Sequence, residues 1–248
     1  MDLNSTATTI SRWTDLGVTI PAKLKEAAEL YDAAAYVEGP WTGFDLSKVT
    51  TKNLEQTVTD LADRIAVEGK FAEAKQRVRD DLGRQLMAAA GEAVDEIVTA
   101  LQPRFERAAS RFTEAIHMLP EDLSATNLVR TGPAALQAYN DALEAQDELL
   151  DVDKFLASLV YLPRYGAKRQ DNALRLLRPS DRSQLQALVN VAGSHRPEKF
   201  GDLSPLFVTA VREGIPFQTN DPEEWTQLRA DIEAQPIKRN SNVRFVNW

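Results

Sequence analysis

Residues 71–119 read FAEAKQRVRDDLGRQLMAAAGEAVDEIVTALQPRFERAASRFTEAIHML, and the spacing of their apolar side chains decides the fold. Phe71, Ala74, Val78, Leu82, Leu86, Ala89, Ala93, Ile97, Leu101, Phe105, Ala108, Phe112 and Ile116 recur every three or four positions with charges between them. That is the face of an amphipathic helix, not the alternation of a strand. Their mean spacing of about 3.75 exceeds the 3.5 of a left-handed coiled coil, which favours bundle packing over a leucine zipper. Unbroken, the stretch would span roughly 73 Å at 1.5 Å per residue, whereas a compact chain of this length has a radius of gyration of only about 18 Å. An elongated helix, or one bent at Pro103, is therefore expected. Ala88, Ala89, Ala90, Gly91 and Ala93 thin the middle of the ridge and let another helix backbone come close.

Towards the N-terminus the pattern continues. Leu54, Val58, Leu61 and Ile65 follow one another at intervals of 4, 3 and 4 after a partial capping signal at Thr51. Gly69, Gly83 and Gly91 each cost a helix about 1 kcal/mol against alanine, yet the periodicity runs through all three. Earlier still, Pro21 suits the first turn of a helix whose face is Leu24, Ala27, Ala28, Tyr31 and Ala35. That helix stops at Gly39-Pro40, and Trp41 and Phe44 are expected to plug a neighbouring surface.

Towards the C-terminus, Leu119-Pro120 ends the long element. Pro133 opens another helix, with Leu136, Tyr139, Leu143, Leu150, Phe155, Leu156 and Leu159 on its apolar side. Asp141, Glu144, Asp147, Glu148 and Asp151 lie on its wet side. An antiparallel return along the first long element is the economical topology. Shorter pieces follow at roughly 171–178, 180–191, 204–213 and 222–234, with Ser180 and Asp221 as N-caps and Gly214 as a C-cap. Val243, Phe245 and Val246 end the chain as a short strand-like docking tail. The expected class is all-α: residues 1–50 an N-terminal arm and helix, 51–160 an elongated helical hairpin or bundle, and 161–248 a lobe of short helices.

Composition narrows the function. With 43% hydrophobic and 27% charged residues the chain is ordered rather than intrinsically disordered. It has no cysteine and two histidines, which rules out disulfides, thiolate metal sites and cysteine nucleophiles. No run of 18 uncharged apolar residues offers a membrane span, and the first residues carry no secretory signal. A cytoplasmic protein, or a virion component if the source is a phage, is expected. The net charge of −8 is uneven: two basic to eight acidic residues over 121–160, then eight basic to three acidic over 161–200.

Catalytic patterns are incomplete. Glu114 and His117 have the spacing with which ferritin-like bundles hold iron, but no second such pair exists. Ser194-His195 lacks a nucleophile elbow, and no phosphate-cradling glycine loop is present. No cofactor and no metal are expected. The basic segment is the remaining candidate: Arg164, Lys168, Arg169, Arg175, Arg178 and Arg182, interleaved with Tyr161 and Tyr165. Such cations could grip an acidic protein surface or a nucleic acid, or pair with the acids of 141–153. The function expected first is non-enzymatic: a scaffold, adaptor or virion-type structural component acting by self-association or within a larger protein assembly. A nucleic-acid-associated factor using 164–182 is the alternative, and an enzyme of unfamiliar type comes third.

Overall fold

A computed structural model describes residues 3–39, 54–166, 169–192 and 198–236. Among them the fold is all-α: eight α-helices, several single 3₁₀ turns and no named strand. The expectations at Trp41, Phe44, Thr51, Lys168, Ser194, His195 and the 243–246 tail fall outside the described residues. The chain divides into two compact units, Met1–Ile97 and Val98–Trp248.

The first unit holds α1 (Leu3–Ser11), α2 (Ala22–Ala35) and the beginning of α3 (Leu54–His117). Pro21 stands at the N-cap of α2, with fixed φ of −52°, and its carbonyl accepts from Leu24 N and Lys25 N. α2 runs antiparallel to α3, because its successive residues meet partners of falling residue number on α3. Lys23 Nζ lies 2.5 Å from Glu92 Oε2, and the Arg79 guanidinium sits 5.2 Å above the Tyr31 ring. Lys75 Nζ donates to the carbonyls of Ala35 and Val37 at 2.9 and 2.7 Å. This lysine thereby caps the C-terminal end of α2 with the charge that its dipole favours. α1 closes over the pair: Tyr31 Oη donates to Asn4 O at 3.0 Å, and Leu3 and Ala7 approach Gly83. Ala7, Ile10, Trp13, Leu24, Ala28, Tyr31, Leu86, Ala90 and Val94 are buried in this unit.

In the second unit α3 continues to His117 through Pro103, which has no N–H and so forgoes one backbone bond. After α4 (Ala125–Thr131), α5 (Pro133–Ser158) returns antiparallel. Arg104 meets Asp151 at 3.1 Å and Glu148 at 3.5 Å, and Arg111 meets Glu144 at 3.1 Å and Glu148 at 3.2 Å. The buried face of α5 is lined by Ala135, Ala138, Ala142, Ala145, Leu149 and Val152. This corrects the expected apolar side over 136–150, where Leu136 is exposed and Tyr139, Leu143 and Leu150 are half-buried, whereas Phe155, Leu156 and Leu159 are buried as expected. Small residues on a buried face let a neighbouring element come close.

The remainder packs around these two helices as α6 (Arg182–Ala192), α7 (Pro205–Arg212) and α8 (Pro222–Ala234). Tyr139 and Gln146 on α5 hold the turn before α7. Tyr139 Oη accepts from Asp202 N at 2.6 Å, Gln146 Oε1 accepts from Ser204 N, and Gln146 Nε2 donates to Asp202 O at 3.3 Å. Gly201, at φ +54°, is required there, since a Cβ would collide with Tyr139 Oη and lie 2.9 Å from Leu123 O. Gly214 (φ +64°) ends α7 as expected, donating to Val211 O while Ile215 N donates to Ala210 O. Asp221 caps α8 in a complete capping box with Glu224. The α6 cap is Asp181 rather than Ser180: its Oδ1 accepts from Ser183 N and Gln184 N.

The piece at 171–178 is not a helix. It forms a turn and then an extended run whose backbone pairs with 216–220, including an isolated bridge between Leu177 and Phe217. Buried Asn220 secures the run by donating through Nδ2 to Leu174 O at 2.6 Å and Leu177 O at 3.2 Å. Phe112, Phe207 and Phe217 meet edge to face at 5.7–6.0 Å between centroids. Val160, Leu174, Leu185, Trp225 and Ile232 form a second cluster.

Candidate partner-binding surfaces

The basic segment occupies several different environments. Arg164 is exposed, with its guanidinium 5.4 Å over the Tyr165 ring. Arg169 and Arg178 are also exposed. Arg175 is 7% exposed and clamped: Nε and Nη2 donate to the two Asp153 carboxylate oxygens at 2.7 and 2.6 Å, and Nη1 to Gln170 Oε1 and Asn172 Oδ1 at 3.0 and 2.7 Å. A fork satisfied on both prongs within the chain fixes the turn at 170–175 to α5. Arg182 is half-buried, and its Nε and Nη2 donate to the last carbonyls of α8, Ile232 O and Glu233 O. Lys168 lies outside the described residues. The intramolecular pairing weighed for this segment is thus present at Arg175 with Asp153.

Beside these residues a cleft of about 720 Å³ opens between the 169–173 turn, α6 and α8, with Arg169, Asp171, Asn172, Val189, Trp225 and Arg229 in its wall. Arg229 donates to Asp171 at 2.5 Å and to Glu233 at 3.2 Å. The Asp171 hydrogen bond raises its pKa above the ordinary arginine value, so it stays charged and paired. Trp225 Nε1 donates to Arg169 O at 3.2 Å. Among the described residues the cleft therefore has a paired charge and an engaged indole in its wall. His117 is exposed at the end of α3, and no group of three or more His, Asp or Glu residues among the described ones could hold a metal.

The other surface is hydrophobic. From residue 54 to residue 82, α3 contains no buried residue; Leu54, Val58, Ile65, Val67 and Val78 are each more than half exposed. Leu54, Val58 and Leu61 stand 36 residues before Ala90, Val94 and Ile97, about ten turns of a regular helix, and so share their face. That face is buried at Ala90, Val94 and Ile97 and open at its N-terminal end. The sequence shows this row by its spacing, but spacing says nothing of where α2 stops.

No protein-family model matches the chain, and neither curated proteins nor solved structures gave a match. No helix among the described residues is long and apolar enough to cross a membrane.

Proposed function

We propose that this chain is a non-enzymatic helical assembly protein, of the scaffold, adaptor or virion-component kind, which works through self-association or within a larger complex. The supporting observation is the uncovered N-terminal stretch of α3, where Leu54, Val58 and Ile65 stand in water along one helix face. Surface helices keep such a face only where something packs on it, and covering it is worth about 25 cal/mol per Å² of apolar area removed from water. Apolar helix faces against apolar helix faces are the chemistry of subunit contacts rather than of turnover.

The test is sedimentation velocity over a wide concentration range, on the full chain and on a Val58→Glu/Ile65→Glu double variant. Concentration-dependent mass that the double variant abolishes is expected. A monomer at every concentration, with the double variant indistinguishable from it, would overturn the proposal.

A further inference from the structure

We infer that residues 54–65 of α3 pair with the same residues of a second copy of this chain, side by side, parallel and in register. The inference rests on the assembly proposal above and names its partner. Leu54, Val58, Leu61 and Ile65 alternate by four and three residues, which places Leu54 and Leu61 at d positions and Val58 and Ile65 at a positions of a heptad. Among parallel coiled coils, leucine at d with β-branched residues at a is the choice that favours two strands over three or four. The occupant of this row is therefore a helix, and the row selects one like itself.

Charge agrees with a pairing of identical partners. In a parallel pair each g residue faces the e residue of the next heptad on the other strand. Here those pairs are Thr57 with Ala62 and Arg64 with Gly69, so no like charges meet between Leu54 and Ile65; Glu68 falls at the next d, where it would face its own copy, and so ends the seam at Ile65. Asp60 and Asp63 fall at c and f, away from the seam, and are exposed. Two heptads would be too short for free peptides, whose helices must be nucleated at a cost. These residues already belong to a 64-residue helix, so pairing does not have to order them.

The limit of the seam is visible as well. Gly39 reaches Phe71, where an added Cβ would lie 2.9 Å from the ring, and Lys75 holds the end of α2. From there α2 takes up the position along α3 that the second copy takes before it.

Because the chain has no cysteine, single substitutions give unambiguous cross-links. Val58→Cys and Ile65→Cys at a positions, with Asp63→Cys at f as the control, are to be oxidised with copper phenanthroline at low protein concentration. In-register a positions come within disulfide range, so the first two should form covalent dimers at least about tenfold faster than the control. Cross-linking of an equimolar mixture of Leu54→Cys and Ile65→Cys chains in preference to Ile65→Cys with itself would show an antiparallel pair and overturn the inference. A dimeric mass for Val58→Cys without its cross-link would overturn it too, while leaving the assembly proposal standing. A monomeric Val58→Cys chain whose new thiol reacts freely with maleimide overturns both. A monomer whose thiol is protected also overturns the inference, and assigns the seam to a cover from the same chain such as residues 40–53.

Discussion

Two lengths of α3 share one apolar rhythm and meet opposite fates. Of the ridge positions, Phe71, Ala74, Val78 and Leu82 are not buried, whereas all nine from Leu86 to Ile116 are. Propensity does not separate them, since both lengths are helical through glycines. The difference lies in what packs on the helix. In the first unit α1 and α2 cover it around Gly83 to Glu92, and in the second α5 runs back along it. Periodicity thus tells where a helix wants cover, and chain topology tells where it receives any.

The strongest way to break this contrast is to shave each length in turn. Phe112→Ala, which empties the aromatic trio, should cost about 3–5 kcal/mol, while Val78→Ala should stay within about 0.5 kcal/mol. Urea titrations followed by circular dichroism measure both, and equal losses would erase the distinction. Next comes the contrast between buried and exposed ion pairs. Asp153→Ala leaves Arg175 enclosed without its carboxylate and should cost about 3 kcal/mol, whereas Glu92→Ala at the exposed Lys23 pair should cost less than about 1 kcal/mol. Thermal melts of the two variants decide it. A smaller loss, about 1 kcal/mol, is expected for Asp221→Ala, which removes the α8 capping box; hydrogen exchange at Glu223 and Glu224 should speed up first. Smallest is a gain. Nothing lies within 4 Å of where a Cβ would stand at Gly69, so Gly69→Ala should stabilise the open length by up to about 1 kcal/mol, read as a rise in helix signal at high temperature.

The residues announced much of this architecture. The long helix, its antiparallel return, the Asp221 cap and the Gly214 stop each rest on local chemistry, and local chemistry is written in order along the chain. Three features were hidden because they depend on distant partners. The alanine face of α5 is inconspicuous to a count of large side chains, though close packing prefers it. The run at 174–177 has helix-forming leucines and an arginine, yet Asn220, more than forty residues away, holds its carbonyls in an extended pairing. Arg175 looked like one cation among six until its distance to Asp153 was known. For the candidate surfaces, the charge blocks located the basic segment, but whether each arginine faces outward depends on tertiary contacts that no spacing encodes. The 54–65 row was legible as a stripe, and its exposure was not.

The two indoles buried in the described parts of the molecule stand in different units, Trp13 in the first and Trp225 in the second. Each half therefore carries its own optical reporter. With Trp41 and Trp248 replaced by phenylalanine, emission from chains retaining only one of the pair would follow the melting of each half without any added label, and would show whether α3 lets them come apart one after the other.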